Sequence, residues 1–273
     1  SHKKKVDNII IYLILIIVCI VALFPYIWMM LGSLKERVDL FSIPPKFLFK
    51  PTFANYINSF VNKGFSSNFV NSVKIAVLST LVAVLIGVPG AYGLSRSKMK
   101  GDSTLLILTL VIKMAPPVII AVPFYILMVK LKLLDTIVGI VVAHSVLTLP
   151  FLVWMMKSFF DSVPKESEEA AKIDGCSSFQ TFIMVSFPLV LGGLAASLIL
   201  CITTSWNEYL LASVLTTFRT ATLTVAIPNL ITSKGTAWGD ICAIGTVVSV
   251  PITIFTLFVQ KYLVKGMTMG AIK

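Results

Sequence analysis

Long uninterrupted apolar runs organise this chain. The segments 9–31 and 241–260 carry no charge, 69–94 carries Lys74 near its start, 104–128 contains Lys113, and 136–156 contains His144. A further run, 188–211, ends in Trp206-Asn207-Glu208-Tyr209. Each is long enough to cross about 30 Å of hydrocarbon as a helix rising about 1.5 Å per residue. Helices are required, because an isolated strand would leave its backbone groups unpaired in lipid. The runs do not alternate with period two, which excludes a β-barrel. The pattern predicts an all-α membrane protein of six transmembrane helices, with a cytoplasmic N-terminus over 1–8, a transmembrane body over 9–265 and a C-terminal tail over 266–273 on the same side.

Composition agrees with the pattern. The 273 residues are 57% hydrophobic and 13% charged, with a mean hydropathy of +0.93. A soluble domain carries about 25% charged residues, so an ordinary cytosolic enzyme and a disordered chain are both excluded. The net charge of +11 would suggest nucleic acid in a soluble protein. Here it reads as basic flanks holding helix ends at anionic lipid, with no nucleic-acid partner. The loop Ser95 to Asp102, with Arg96, Lys98 and Lys100, is the best local sign that the N-terminus is cytoplasmic. Ser1 and His2 are set aside as a cloning remnant. The first run is too long for a signal peptide and reads as an anchor. The four cysteines form no CxxC pair, so neither a metal site nor a disulfide framework is expected. Gly87, Ala91 and Ser95 form a small-residue stripe suited to close helix packing.

The polar stretch 157–187 carries most of the specific information. It contains a short helix whose ends are written in the sequence. Ser162 is the candidate N-cap, Pro164 suits the first turn, and Glu166, Glu168 and Glu169 favour the positive helix end. Gly175 is the expected stop. Ser177 and Gln180 are spaced as a capping box opening a second helix that runs towards Pro188. The apolar side of the first helix is small, Ala170, Ala171 and Ile173, and so short a helix needs something to dock against.

Glu169-Ala170-Ala171, three residues, Gly175, nine residues, then Val185-Ser186-Phe187-Pro188 resembles the EAA loop of ABC importer permeases. Val185 and Phe187 stand where the family pattern has Ile and Leu. Ile173-Asp174-Gly175, Asn71-Ser72, Ala91-Tyr92, Trp206-Asn207-Glu208-Tyr209 and the C-terminal stretch from Gln260 are similar to carbohydrate-importer permeases of the maltose type, in particular the second of their two permease chains. The resemblance covers about residue 20 to 273. It implies a subunit of the bacterial cytoplasmic (inner) membrane that pairs with a second permease, docks its EAA helix on two cytoplasmic ATPase subunits and receives a carbohydrate from an extracytoplasmic binding protein. It assigns ATPase coupling to Glu169, Ala170, Ala171, Ile173, Asp174, Gly175 and Pro188. No GxxxxGK[ST] loop occurs, so the chain is expected to be non-catalytic and to hold no cofactor or metal, with ATP and Mg on the ATPase subunits.

Ionisable residues at membrane depth are costly and point to function. Lys113 and His144 fall at similar depths, about 12–14 Å from opposite faces. With Asn207 and Glu208 they are the candidates for lining the translocation pathway, and Glu208 is placed near the outer end. Trp206 and Tyr209 read as an interfacial aromatic belt. The outer loop 212–240 is a candidate docking surface for the binding protein. The alternative is a six-helix carrier or channel using Lys113, His144 and Glu208 for ion coupling; such a carrier has no use for an EAA loop.

Overall fold

A computed structural model describes residues 2–96, 116–232 and 235–269, with isolated positions between 104 and 114. Among the described residues the chain is helical apart from one two-stranded hairpin, Ile231–Thr232 with Gly235–Thr236, and the connecting turns. The main helices are α1 (His2–Ser33), α2 (Phe65–Arg96), α3 (Pro117–Lys130), α4 (Ile137–Asp161), the short loop helix α5 (Lys165–Ile173), α6 (Leu191–Trp206), α7 (Leu210–Leu215) and α8 (Trp238–Met269). Two compact units are built from them, residues 1–66 with 227–251 and residues 67–226 with 252–273.

Among the described residues four helices are long and apolar enough to cross a membrane: Asn8–Ser33, Phe65–Arg96, Ile137–Asp161 and Trp238–Leu257. A fifth span arises only if Ser178–Leu189 and Leu191–Trp206 are taken together across a bend of 77°. This departs from the expected continuous run over 188–211. Pro188 offers no backbone N–H, a π-helical turn over Phe182–Ser186 precedes it, and the helix breaks at Val190, which are recognised causes of a sharp kink. At the other end α6 stops at Trp206, and the chain turns through Asn207 into α7. The expected span 104–128 is described mainly as the 14-residue α3, with Pro117 at its first turn, a position where the missing N–H has no cost.

In the larger unit the small-residue stripe does what its spacing predicts. Ala83, Gly87 and Ala91 turn towards α4, and a Cβ on Gly87 would stand 3.0 and 3.1 Å from Leu149 and Leu152. Gly193 of α6 is tighter still, because a Cβ there would lie 2.4 Å from the ring of Phe159. The core closes around Leu152, Met156, Phe160, Phe182 and Leu194. A second cluster seats α7 on α3 and α4 through Met128, Ala143, Leu211 and Leu215.

In the smaller unit α1 is apolar all round and exposed from Ile9 to Trp28, as expected of a helix whose solvent is lipid. Its last turn is closed by Asn55, whose amide donates to the carbonyls of Ser33 (2.9 Å) and Lys35 (2.8 Å), satisfying groups that a helix end leaves open. Lys35 is buried (3% exposed), with its ammonium 4.9 Å from the Trp28 ring and 5.1 Å from that of Phe49. The first turn of α8 carries Asp240, which accepts from Lys63 at 2.5 Å and Asn58 at 2.8 Å.

The Gly193 contact gives a direct test. Gly193→Ala should destabilise the protein by about 1–3 kcal/mol through overpacking, read as a lower thermal midpoint in detergent. Gly90→Ala, where no atom lies within 4 Å of the added carbon, should leave the midpoint unchanged or raise it.

Candidate functional site: the coupling helix and the buried polar chain

The polar loop begins where α4 ends. Ser162 is not the N-cap of α5, contrary to its expected role. It caps the C-terminus of α4, donating from Oγ to the Phe159 carbonyl at 2.7 Å. The N-cap position of α5 belongs to Pro164, which supplies no side-chain cap. The C-terminus is closed as the sequence suggests. Gly175 sits at φ +90°, its N–H bonds the Lys172 carbonyl (3.1 Å), and the Cys176 N–H bonds that of Ala171 (3.0 Å). This is the paired-bond helix stop for which glycine is suited. Ser177 and Gln180 form the expected reciprocal capping box.

The one buried residue of α5 is a carboxylate, and its exposed residues mix the charged Lys165, Glu166, Glu169 and Lys172 with the apolar Ala170 and Ile173. Glu168 is 4% exposed. Its carboxylate accepts from Arg96 Nε at 2.8 and 2.9 Å, from Ser186 Oγ at 2.6 Å and from the Tyr92 hydroxyl at 3.3 Å. Arg96, the last residue of α2, also donates to the carbonyls of Phe160 (2.9 Å) and Val163 (3.3 Å) and to Ser95 Oγ (2.7 Å). Tyr92 packs against Phe160 and Phe182, with ring centroids 5.3 and 4.8 Å away. One carboxylate and one guanidinium thus tie together the end of α2, the end of α4, α5 and the turn before Pro188. Burial raises the Glu168 pKa, but the Arg96 guanidinium and the Ser186 and Tyr92 hydroxyls outweigh it and hold the carboxyl below its usual range.

On the opposite side of α5, Glu169, Ala170 and Ile173 face outward, Ile173 at 86% exposure, and Phe179 follows at 72%. Asp174, the C-cap residue, Gly175 and Pro188 are exposed as well, and Ala171 is half-buried. The expected coupling residues are thus exposed, apart from the half-buried Ala171. Arg96 and Glu168, which hold α5 in place, were missed. They read as a basic flank and a helix-end charge, and only burial distinguishes Glu168 from its neighbours Glu166 and Glu169.

A second polar cluster lies within the helices. His144 is fully buried. Its Nδ1 shares a hydrogen bond with Ser205 Oγ at 2.7 Å, and Ser205 Oγ accepts from Ser79 at 3.0 Å. Its Nε2 lies 3.3 Å from Glu208 Oε2, out of line for a hydrogen bond. Glu208 accepts from the amides of Leu211 and Ala212, both at 2.9 Å, so its carboxylate caps α7 as a charge at a helix N-terminus should. His144 and Glu208, read separately from the sequence, form one cluster. Asn207 is exposed at the α6 C-cap and makes no side-chain hydrogen bond among the described residues. Lys113 lies outside the described residues. Trp206 is buried, edge-on to Phe69 at 5.9 Å, so the belt reading is replaced by a packing one, whereas Tyr209 is 47% exposed.

The loop after α7 is pinned. Asp135 accepts from the Thr217 amide (3.0 Å) and from the hydroxyls of Thr217 and Thr220, and Asn68 and Asn71 donate to the Ala221 carbonyl at 2.9 and 3.2 Å. Between these anchors Phe218, 96% exposed, and Arg219 project outward.

Membrane-crossing helices joined by a polar loop that carries its own short helix define a multi-pass membrane protein. The chain belongs to the family of inner membrane components of binding-protein-dependent transport systems, whose sequence profile matches residues 79–269. It is therefore a transporter permease subunit of the multi-pass inner-membrane class. It is 37% identical to a probable ABC transporter permease protein, y4oR, of Sinorhizobium fredii, over 94% of this chain and 92% of that one. It is 34% identical to the trehalose transport system permease protein SugB of Mycobacterium tuberculosis, over 92% and 93% of the two chains. In fold it matches a chain of a bacterial ABC transporter involved in import of the acidic polysaccharide alginate, with a TM-score of 0.79 at 23% identity, covering 96% of this chain and 98% of that one.

The Glu168 clasp predicts a pH response. A carboxyl whose folded pKa is lowered contributes stability that is complete above the free-glutamate value, about 4.3, and is lost as pH falls through the folded value. Hydrogen exchange over 165–186 should show Glu168→Gln losing about 1.5–3 kcal/mol of local protection at neutral pH. The unsubstituted protein should approach that level only below about pH 4.

Proposed function

We propose that the chain is one of two permease subunits of an ATP-driven carbohydrate importer, forming half of the translocation pathway. Its relatives carry names for trehalose, trehalose/maltose, diacetylchitobiose and sulfoquinovosyl glycerol transport, which supports a sugar or sugar-derived substrate. The observation that carries the reading is the exposed tip of the polar loop, where Ile173 and Phe179 stand open and α5 is held from behind by Glu168. A helix that buries a carboxylate and exposes Ala170 and Ile173 is incomplete alone and suits a groove on a partner. Glu169, Ala170, Ala171, Ile173, Asp174 and Gly175 are its docking surface for a cytoplasmic ATPase subunit, and Pro188 lies at the kink that turns this segment into α6. ATP and Mg belong to that partner.

The proposed mechanism is mechanical. Movement of the ATPase displaces α5, and the Arg96–Glu168 pair passes the displacement to α2 and to the end of α4. The kink at Val190, itself a buried core residue, lets α6 respond to motion of the segment before it. Lys113, His144, Asn207 and Glu208 remain the pathway candidates, and His144 with Glu208 acts there by fixing the turn between α6 and α7. The outer loop around Phe218 and Arg219 is the proposed contact for the extracytoplasmic binding protein, with both termini cytoplasmic. The second permease, a different chain in the heterodimeric arrangement, covers apolar faces that the isolated chain leaves open.

Glu169→Lys and Gly175→Val should each release the ATPase or uncouple hydrolysis from transport in reconstituted vesicles. Gly175→Val acts through its φ of +90°, which a β-branched residue rarely adopts. Unchanged ATPase association together with unchanged uptake would sink the proposal. Uptake that survives ATP removal but collapses with the proton gradient would favour the carrier reading.

A further inference from the structure

In the unit built from 1–66 and 227–251, an open apolar groove of about 470 Å³ runs along the last turns of α1 to the start of α8, walled by Phe24, Trp28, Met29 and Cys242. Phe24 to Gly32 cover about 12 Å of helix, so the groove lies at the end of a membrane span. Its far end is formed by Leu40, Phe41 and Trp238, and the same three residues form the near wall of a polar cleft of about 300 Å³. Phe41 and Trp238 are 57% and 51% exposed at this junction, where amphipathic rings favour the membrane–water boundary.

The cleft is cationic. It holds Arg37, Lys63 and Asp240. Lys63 is paired with Asp240 and remains 37% exposed, so the pair is neutral with N–H bonds to spare. Arg37 is exposed and makes no hydrogen bond or ion pair among the described residues. Behind the groove wall, Lys35 is buried against Trp28 and Phe49 with no carboxylate partner among the described residues. Apolar depth, an aromatic boundary and unneutralised positive charge thus follow one another along a single surface. A free sugar has no use for the apolar half, and a soluble anion has none either.

We propose that this groove and cleft bind one anionic phospholipid, with the phosphodiester against Arg37 and the spare N–H bonds of Lys63 and an acyl chain laid along Trp28 and Met29. The proposal goes beyond the transport reading and rests only on α1 crossing the membrane.

The test uses the assembled transporter, delipidated in detergent and then offered phosphatidylglycerol or phosphatidylcholine with identical acyl chains, with native mass spectrometry as the readout. One phosphatidylglycerol per copy of this chain should be retained in preference to phosphatidylcholine. Arg37→Gln should lower its retention about fivefold, the effect of one basic residue on an anionic headgroup. Lys50→Gln, on the same loop and equally exposed, should have no effect. Arg37 has no partner to lose, and an unchanged thermal midpoint verifies that the variant is folded. Equal retention of the two lipids, an equal loss in Lys50→Gln, or displacement by glycerol phosphate at the lipid's own affinity would overturn the proposal.

Discussion

The end of this permease that carries α5 depends on one buried ion pair. Arg96 and Glu168 come from the end of α2 and the middle of α5, and their side chains are 15% and 5% exposed. A charge taken out of water is tolerated only when its hydrogen-bonding capacity is filled. Here it is filled from four directions, by the Phe160 and Val163 carbonyls on the arginine and the Ser186 and Tyr92 hydroxyls on the glutamate. Removing either partner strands the other. The pair therefore acts as a fixed joint between a membrane-spanning helix and a loop helix too short to stand alone.

That joint explains how α5 is held although Glu168 is its one buried residue. Its stability comes from Glu168, so its apolar residues are released from core packing and stand on the surface. The same division recurs across the larger unit. Polar groups sit where the chain must turn, and small residues sit where helices must touch. Glu208 caps α7 and meets His144 at the turn after α6, Asp135 gathers Thr217 and Thr220 beyond α7, and Gly87 and Gly193 admit Leu152 and Phe159.

Much of this was legible in the sequence, because the signals were local. Gly175, Ser177 and Gln180 announce helix ends through backbone chemistry acting within a few residues, and Gly87 and Ala91 announce a packing face through their spacing. The EAA spacing placed the chain in its family before any contact was known. What escaped was non-local. Arg96 and Glu168 are 72 residues apart, and nothing in the run Glu166 to Glu169 marks which carboxylate turns inward. Ser162 satisfies the residue preference for an N-cap, yet its hydroxyl is taken by the preceding helix. The continuous run 188–211 hides two breaks, since hydropathy reports solvent and not direction. The groove along α1 was equally invisible, because Arg37, Lys63 and Trp238 meet only in the folded chain.

The central claim is that α5 and the Arg96 end of α2 move as one body during transport. Its most direct test is the distance between spin labels at Gly93, which is exposed with open space around it, and at Lys172 on α5, measured by pulsed electron resonance in the assembled transporter with and without ATP. The account predicts one narrow distance distribution that is the same in both nucleotide states and broadens in Glu168→Gln. A distance that shifts between nucleotide states in the unsubstituted protein would contradict it.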